Sequence, residues 1–428
     1  MTEAVKVEQL SARDTLTPSS MLTDTGRRMR DEVLEFVPEM QKLGPAAEQG
    51  RGLADEVNRQ LKQIGVWDLG TPIEYGGTAS GARDLVEVLE AVGRGDGSAG
   101  WLAQAAATNH NLVSAYSDEA VAEVFASSAD VPGPRLVGAS VFARQVGSAH
   151  AVSGGWKVKG KWGFATGCRT ATWAMVGADY VKPDGTPSRG LALLPTSTCR
   201  IIEDWNVTGM SATASNSIVA DDDVFIPTDR FFDLHEMPDR MNGLHERFAG
   251  LAFGWPSEAR IVAITLNLAS VALGLAEGAL ESFLSSAPKR TPFNLPYATI
   301  ADSPGTQIVV GRSQAAIDAA RSVVQSIADG IDRNSLEGLD FTATEASRTH
   351  MDLIFAIRLC RDAIADLEEA LGSSVALLSN PIQRAHRDLR VLASHGAIRF
   401  DPLAELTGKD ALGRNLDPTF SGGLPSIP

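Results

Sequence analysis

The most informative stretch of this chain for its architecture is Trp156-Lys-Val-Lys-Gly-Lys-Trp-Gly-Phe-Ala-Thr-Gly167. Its first half alternates apolar and cationic side chains with a period of two, which predicts a β-strand with one buried face. Its second half gathers aromatic residues, a threonine and a glycine where the strand ends. Short β-type runs bounded by Gly, Pro and Asp continue to about residue 230 and predict a compact β domain.

Helical patterns flank this β segment on both sides. Upstream, apolar residues recur every three or four positions, as they do from Met29 to Met40. Downstream, the same spacing runs from Ile357 to Leu371 and stops at Gly372, a residue type that commonly ends helices. The capping-box pattern Thr342-x-x-Glu345 is expected to open that helix.

The order of these patterns predicts an α+β protein. We expect a flexible arm at residues 1–20, an N-terminal helical domain at 21–135, a central antiparallel β-barrel domain at 136–235, and a C-terminal helical bundle with a tail at 236–428. The uncharged stretch 261–276 is shorter than a bilayer requires. We therefore expect a helix buried inside a bundle or an oligomer, and no membrane partner.

Composition limits the classes of function that are possible. The 428-residue chain has a formal net charge of −15, with 44% hydrophobic and 21% charged residues, so it can bury a large core. The acidic balance argues against a nucleic-acid partner, since counterion release needs a basic face. The three cysteines are far apart, which is typical of a reducing compartment. With no hydrophobic leader and no metal-ligand spacing such as H-E-x-x-H, we expect a cytoplasmic protein without a metal site.

One apparent nucleotide motif is better explained by local structure. Gly95-Asp-Gly-Ser-Ala-Gly100 matches G-x-G-x-x-G, but a dinucleotide fingerprint must follow a strand and open a helix. Here a helical pattern precedes the motif. The sequence therefore predicts a junction between two helices, and any nicotinamide would have to bind to a different protein.

Several motifs together resemble the acyl-CoA dehydrogenase superfamily. Residues 156–167 resemble the strand that lies beside the flavin ring in that family. Residues 204–216 and 224–227 resemble its "W-x-x-x-G-M-r-g-T-g-S … v-f-V-P" segment, although serine and alanine replace an arginine and two glycines. Upstream, the segments Pro72-x-x-Tyr-Gly-Gly77 and 95–101 fit two further family motifs. The resemblance covers about residues 25 to 415.

The C-terminal part of the chain indicates the branch. In many acyl-CoA dehydrogenases the last motif, "R-D-x-x-x-x-x-x-Y-E-G-T", supplies the glutamate that removes the substrate α-proton. Arg387-Asp388 aligns with it without a gap, and this puts His395 at the tyrosine and Gly396 at the glutamate. A histidine here resembles the two-component flavin-dependent monooxygenases.

That resemblance implies an oxygenase component that receives diffusible reduced FMN or FAD from a separate reductase. Reaction with O₂ through a C4a-hydroperoxide would hydroxylate a small substrate, in the first instance an aromatic ring. Three alternatives stay open: oxygenation of nitrogen or sulfur, an acyl-CoA dehydrogenase with an unrecognised base, and a scaffold that has lost catalysis.

The resemblance also implies site residues. His395 is predicted to activate the substrate or hydrogen-bond the peroxide, since an imidazole titrates near neutral pH. Thr166 is predicted to hold the flavin near N5. Substrate contacts are expected from Trp101 and His110. The predicted flavin contacts within the subunit are Trp162, Phe164, Gly167 and Ser215; those to the flavin of a neighbouring subunit are Arg290, Phe293 and Gln307, which implies a homotetramer.

Overall fold

The structure of this protein is a computed structural model that describes residues 20–128 and 130–414. The predicted arm lies outside these residues except for Ser20, and so does the last part of the predicted tail. Within the described residues the order is helices, sheet, helices. The boundaries predicted at 135 and 235 fall just before the first strand and just after the last one.

The N-terminal region is helical, and polar side chains fix where its helices begin. Thr23 caps the first helix by accepting a hydrogen bond from the Gly26 amide, and Asp96 caps the fourth by accepting one from the Ala99 amide. The segment 95–100 is therefore the junction between two helices that its sequence context predicts. The helices are α1 (Asp24–Gly50), α2 (Asp55–Ile64), α3 (Ala82–Gly95), α4 (Gly97–Val113) and α5 (Asp118–Ser127).

The central region is one sheet whose strands are ordered β6-β7-β3-β2-β4-β5-β8, with β1 added to β4. The quoted stretch forms β3 and the turn after it, as its alternation predicts. The strands are β1 (Leu136–Ala139), β2 (Gly147–Val152), β3 (Gly155–Trp162), β4 (Trp173–Val181), β5 (Pro187–Pro195), β6 (Arg200–Ile202), β7 (Ser217–Pro227) and β8 (Phe231–Asp233).

The predicted antiparallel barrel is wrong in two respects. β1 runs parallel to β4, and β2 also meets β4 in a parallel pairing, so the sheet is mixed. The strand path ends at β6 and at β8, and these two do not pair with each other in the described part of the chain, so the sheet is not closed. Alternation along a strand reports which face is buried but not the direction of its neighbour, which is why the sequence could not reveal either feature.

The C-terminal region packs around one buried helix, α7. The helix is long and apolar enough to cross a membrane, yet 89% of its most apolar 18-residue window is buried inside the protein. The buried helix predicted at 261–276 is therefore confirmed. Gly274 lets α7 approach α3 closely, since a Cβ there would lie 2.1 Å from the Glu90 carbonyl oxygen. The helices are α6 (Met237–Asn242), α7 (Ser257–Ser286), α8 (Pro304–Glu337), α9 (Ala343–Leu371), α10 (Pro381–Leu392) and α11 (Phe400–Ala411).

Candidate functional site

One face of α4 borders the open spaces of the molecule. Trp101, Ala105, Thr108 and Asn111 are partly exposed, whereas the positions between them are buried. Steps of four, three and three place these residues on one side of a helix. The N-terminal half of this face lies near the turn after β3, and its C-terminal half lines a large cavity between α4 and α7.

A chain of hydrogen bonds starts at the N-terminal half of that face. The indole nitrogen of Trp101 lies 3.4 Å from Thr166 Oγ1, which lies 2.9 Å from Ser215 Oγ. Ser215 Oγ lies 2.8 Å from Thr213 Oγ1, and that hydroxyl donates to the Met210 carbonyl at 2.8 Å. All three hydroxyl residues are buried.

The donors and acceptors in this chain of hydrogen bonds can be assigned in only one way. Thr213 uses its single proton on the Met210 carbonyl, so Ser215 must donate to Thr213, and Thr166 must donate to Ser215. The indole N–H can only donate, so Trp101 gives its proton to Thr166. The hydroxyl of Thr166 therefore has no proton left for another partner. It can only accept a further hydrogen bond.

The two loops that carry this chain are held in unusual backbone conformations. Phe164 has φ +57°, and in the facing loop Met210 and Ala214 have φ +56° and +45°. Such values are costly for residues with a Cβ and cluster at functional sites. The glycine that the family pattern has at position 214 would carry no such cost. The side chain of Phe164 is 70% exposed and packs edge-on against Trp205, so it offers an aromatic surface beside Thr166.

The Arg387-Asp388 pair in the middle of α10 holds one of these loops in place. Asp388 accepts a hydrogen bond from the Met210 amide at 2.6 Å, and Arg387 donates to the Thr208 carbonyl at 2.6 Å. Gly209 sits against the α10 backbone, where a Cβ would lie 2.4 Å from the Arg387 carbonyl oxygen. Burial, with the nearby Asp96 carboxylate, raises the pKa of Asp388 to about 7.

His395 lies just after the end of α10 and packs against Trp101. Its ring stands edge-on to Trp101, with ring centroids 5.7 Å apart. Nδ1 accepts a long hydrogen bond of 3.4 Å from the Ala397 amide, so the neutral ring carries its proton on Nε2. The surrounding protein lowers the pKa of His395 below its usual 6.5, although one side of the ring is open to solvent. The imidazole is therefore neutral at pH 7.

The C-terminal half of the α4 face lines a cavity of about 1050 Å³. Most of its wall is apolar. Asn111, Arg260 and Asn267 contribute polar groups where α4 meets α7. At the sheet end Arg189 also reaches the wall, but its guanidinium is paired with Asp179 at 2.7 Å.

Two predicted site residues lie elsewhere. Trp162 is completely buried in the sheet core, and its indole N–H donates to the Gly177 carbonyl at 2.8 Å, so its ring offers no surface to a cofactor. His110 does not line the cavity and is also completely buried. It lies nine residues after Trp101, which at about 100° per residue puts it on the opposite face of α4. Burial lowers the pKa of His110 to about 4, and Nδ1 bonds to Thr71 Oγ1 at 2.8 Å.

The remaining predicted residues divide into two groups. Trp101, Thr166, Ser215 and His395 come together, while Gly167 follows with φ +81° and donates its amide to the Thr213 carbonyl. By contrast, none of the hydrogen bonds or ring contacts in the described part of the chain joins Arg290, Phe293 or Gln307 to this cluster. Phe293 is 90% exposed, Gln307 is exposed, and Arg290 bonds to Ser374. The predicted roles of both groups towards a cofactor stay predictions.

Sequence reasoning missed the polar end of the cavity and Thr213. A signal existed for the cavity, because Arg260 directly precedes the uncharged stretch 261–276 and Asn267 interrupts it. A polar residue within an otherwise apolar buried helix needs a partner or a function. Asn111 could have been found by following the face of α4 from Trp101. A signal existed for Thr213 as well, because it stands at the threonine of the "r-g-T-g-S" pattern and its hydroxyl bonds to Met210 and Ser215 within the same loop.

Two long segments of the chain match acyl-CoA dehydrogenase domains. Residues 23–126 match the acyl-CoA dehydrogenase N-terminal domain, and residues 266–400 match the C-terminal domain. Together these matches cover more than half of the chain and lie on either side of the sheet. The chain belongs to the acyl-CoA dehydrogenase family.

The relatives along most of the chain are oxygenases. The FADH₂-dependent resorcinol hydroxylase oxygenase component of Rhizobium sp. is 29% identical over 82% of this chain and 86% of that protein. The p-hydroxyphenylacetate 3-hydroxylase oxygenase component of Acinetobacter baumannii is 24% identical over 92% of each. XiaF from Streptomyces sp., solved with FADH₂ and glycerol, superposes with a TM-score of 0.83 at 27% identity, covering 94% of this chain and 97% of that one. This chain is thus an oxidoreductase of the flavin-dependent monooxygenase branch, which confirms the branch predicted from His395.

The residues around Thr166 suit the reduced flavin that this branch uses. N5 of a reduced flavin carries a hydrogen, and Thr166 has an acceptor position free for it but no proton of its own to offer. The exposed ring of Phe164 offers apolar surface next to that hydroxyl. His395 and Trp101 lie opposite the turn that follows β3 and carries Thr166.

Proposed function

We propose that this protein is the oxygenase component of a two-component hydroxylase that uses FADH₂ and O₂ to hydroxylate an aromatic ring. The proposal is carried by one observation: the His395 imidazole packs against Trp101, whose indole N–H bonds to Thr166. In the dehydrogenase pattern the position after this histidine is a glutamate, whereas here it is Gly396, which has no side chain to remove an α-proton.

The overall reaction balances without a further reactant. One oxygen atom of O₂ enters an aromatic C–H bond as a hydroxyl group, and the other leaves as water. The two electrons and two protons come from FADH₂, which becomes FAD. A separate reductase supplies FADH₂ to the oxygenase.

Thr166 and Phe164 are proposed to hold the flavin, and His395 to act on the oxygen side of the reaction. Reduced flavin supplies the electrons that activate O₂. Because the neutral ring of His395 carries its proton on Nε2, it is set to donate a hydrogen bond. To accept a proton at Nε2 instead, the ring would first have to carry its proton on Nδ1, and it would then lose the hydrogen bond from the Ala397 amide. The geometry thus favours the donor role over the general-base role.

The apolar wall of the cavity supports an aromatic substrate and limits side reactions. Water and stray proton donors divert activated oxygen to H₂O₂, so a dry site favours transfer to the substrate. The α4 face joins the cavity to the Thr166 cluster: Thr108 lies two turns beyond Trp101, about 10 Å along the helix. A ring in the cavity end near Thr108 would lie closest to the cluster.

The experiment that tests the proposal uses the full chain, chemically reduced FAD and ¹⁸O₂. We expect one ¹⁸O atom in the product from at least one member of a panel of phenols that includes resorcinol. Consumption of O₂ with only H₂O₂ as product across the phenols, together with labelled products from amines or thioethers, would replace ring hydroxylation by nitrogen or sulfur oxygenation.

A homotetramer is also proposed, with Arg290, Phe293 and Gln307 reaching a neighbouring subunit. Leu295 and Ile308 are 52% and 60% exposed next to the 90% exposed Phe293, which is a large apolar surface for one segment. Native mass spectrometry of the wild type and of Phe293→Asp tests this. We expect a tetramer that the substitution weakens; a wild-type monomer with full flavin affinity would contradict it.

A further inference from the structure

The large cavity opens to solvent at the end where it meets the sheet. The lining residues at this end are exposed, whereas Gly70, Ala107 and Asn267, which line the cavity elsewhere, are buried. Among the described residues, the exposed lining residues at the sheet end form the rim of the cavity: Arg144, Gln145, His150, Val181, Pro187 and His235. A substrate enters past these side chains, and a long substrate stays in contact with them.

The cavity is longer than a single aromatic ring. At the end nearer to the site proposed for the flavin, Asn267 of α7 donates to Thr108 of α4 at 3.4 Å. Ten residues earlier on α7, about 15 Å along the axis, Ser257 also lines the cavity and donates to Asn242 of α6 at 2.8 Å. Because α6 begins two residues after His235, the rim lies towards the Ser257 end. The volume of about 1050 Å³ is typical of a site for a drug-sized molecule, so a ring near Thr108 leaves most of the cavity to the rest of the substrate.

One buried carboxylate, that of Asp233, orients the side chains at the rim. It accepts hydrogen bonds from Tyr180 Oη at 2.7 Å and Ser188 Oγ at 3.0 Å, and Lys182 Nζ pairs with it at 2.7 Å. His235 supplies two more bonds, from its backbone amide and from Nδ1, each at 2.9 Å. Burial alone would raise the pKa of Asp233, but these bonds hold it well below the usual 3.8. The carboxylate is therefore ionised and can only accept.

The bonds to Asp233 fix the polarity of the groups that face the cavity. Tyr180 spends its only proton on the carboxylate, so its oxygen has only acceptor positions left. His235 carries its proton on Nδ1, so Nε2 of the neutral ring is an acceptor as well. None of the described residues bonds to Nε2, and the His235 side chain is 48% exposed, so a molecule at the rim can reach it. This side of the rim thus presents two acceptors.

We propose that His235 and Tyr180 bind an uncharged hydrogen-bond donor, a hydroxyl or an amide N–H, at the far end of an extended aromatic substrate. This inference rests on the proposed function and narrows its substrate class. The ring to be oxidised lies towards Thr108, and the donor lies at the rim. A substrate that covers Nε2 without a donor leaves the imidazole unpaired, and such a mismatch is what a polar site discriminates against.

The charges around the rim favour a neutral group over an ion. The Lys182–Asp233 and Arg189–Asp179 pairs each cancel, which leaves no net charge on this side. A carboxylate there would set its lone pairs against those of the two acceptors. It would have to turn to Arg144, which is exposed at the rim and forms no salt bridge within the described residues. An acid is therefore the competing ligand that the experiment must include.

Binding without turnover tests the proposal independently of hydroxylation. The probes are 4′-(hydroxymethyl)biphenyl-4-ol, the methyl ether of its alcohol, 4′-hydroxybiphenyl-4-carboxylate, and the one-ring compound 4-methylphenol. Each is titrated calorimetrically into the full chain, flavin-free and with reduced FAD under anaerobic conditions. The pH is 8, because a second proton on the imidazole would turn Nε2 into a donor. We expect the alcohol to bind about 5- to 10-fold more tightly than the ether, as for one hydrogen bond, and more tightly than the other two probes.

Substitutions at the rim identify the acceptor. His235→Phe keeps a ring without an acceptor and should reduce the ratio of alcohol to ether affinity to about one. His235→Gln supplies an amide oxygen and should keep part of the ratio, and Tyr180→Phe should lower it less than His235→Phe does. The matched control is His150→Phe, since His150 is also exposed at the rim but makes no bond to Asp233; its ratio should equal that of the wild type. Thermal unfolding of each variant separates a lost preference from a lost fold.

The wild type alone can overturn the proposal. Equal affinities for the alcohol and the ether contradict it whether or not the variants fold, and so does a carboxylate or a one-ring phenol that binds as tightly as the alcohol. Labelled product from phenols together with any of these results would leave the proposed function intact and remove only the rim site. A preference for the alcohol without labelled product from any phenol would do the reverse.

Discussion

The two polar regions along the α4 face differ in how their hydrogen bonds are used. Around Thr166 every hydroxyl proton has a partner, and the chain ends on the Met210 carbonyl. At the other end of the face, within residues 20–128 and 130–414, three polar atoms have no hydrogen-bond partner and the Arg260 guanidinium has no counter-ion. The first region is complete and leaves one acceptor position of fixed polarity. The second leaves polar atoms and a charge unsatisfied among the described residues.

This difference separates what the protein supplies to a cofactor from what it requires of a substrate. A fixed direction of hydrogen bonds costs no reorganisation when the reaction occurs, which favours catalysis. Unsatisfied groups select ligands instead, since a ligand that lacks the matching group leaves the site unpaired. Variants that alter the direction of the chain should therefore change coupling and flavin affinity, whereas variants in the cavity should change substrate choice.

Loss of the His395 imidazole should have the largest effect. We expect His395→Ala to lower the hydroxylation rate about 10²- to 10⁴-fold, the range typical of a positioned proton donor or acceptor. More of the consumed O₂ should appear as H₂O₂. Product and H₂O₂ formed per O₂ are measured against His245→Gln, an exposed histidine that should behave as wild type.

A second substitution at position 395 distinguishes the hydrogen-bond donor role of the imidazole from its role as a base. His395→Gln can donate a hydrogen bond but cannot take up a proton near neutral pH, so the donor role predicts partial activity and the base role predicts none. The surrounding protein lowers the pKa of His395 below its usual 6.5, so the ring should not give an acidic limb of the rate profile above that pH. A limb above pH 6.5 that is present in the wild type and absent from His395→Gln would contradict the lowered pKa.

The cluster around Thr166 shows how far sequence could predict the site. Trp101, Thr166, Ser215 and His395 come from four separate segments, and the structure brings together these four residues that the family resemblance assigned to one site. Their roles towards flavin and substrate stay predictions. The predicted flavin contact at Trp162 was wrong, because Trp162 lies on the same apolar face of β3 as Val158 and both side chains are buried in the core.

The cavity was beyond the reach of sequence for a different reason. The polarity of Arg260 and Asn267 was visible, but their pairing with Asn111 and Thr108 depends on two helices meeting antiparallel. His110 was assigned to the substrate although the helical period from Trp101 puts it on the opposite face. The fold order was predictable from patterns of three, four and two residues; strand direction and side-chain partners were not.

Removing the acceptor at Thr166 should have a moderate effect. We expect Thr166→Val, which keeps the shape but loses the hydroxyl, to weaken reduced FAD binding about 5- to 10-fold, as for the loss of one hydrogen bond. Coupling of O₂ consumption to product should fall as well. Thr166→Ser keeps the hydroxyl and should restore both quantities. If the valine variant bound reduced FAD as tightly as wild type, the acceptor role would be excluded.

A smaller effect is expected at Thr213, the last hydroxyl in the chain of hydrogen bonds. Thr213→Val removes the group that receives the Ser215 proton, so Ser215 and Thr166 are no longer held to one direction. We expect a loss of coupling of about two- to fivefold, with substrate affinity unchanged. Thr213→Ser retains the hydroxyl and serves as the control. Equal coupling in the valine and serine variants would show that the direction of the chain does not matter.

The smallest effect on chemistry is expected at Asp388, which holds the Met210 amide from the other side. Its folded-state pKa of about 7 lies above the usual value of 3.8, so the folded protein binds more protons than the unfolded chain between these values. The free energy of unfolding should therefore fall as pH rises through this window, by at most about 1.4 kcal/mol per pH unit from this group. Asp388→Asn keeps an acceptor for the Met210 amide and should flatten the slope, while Asp96, whose pKa burial also raises, retains part of it. Melting temperatures of both proteins from pH 4.5 to 8 check this, and parallel curves would mean that Asp388 is ionised throughout.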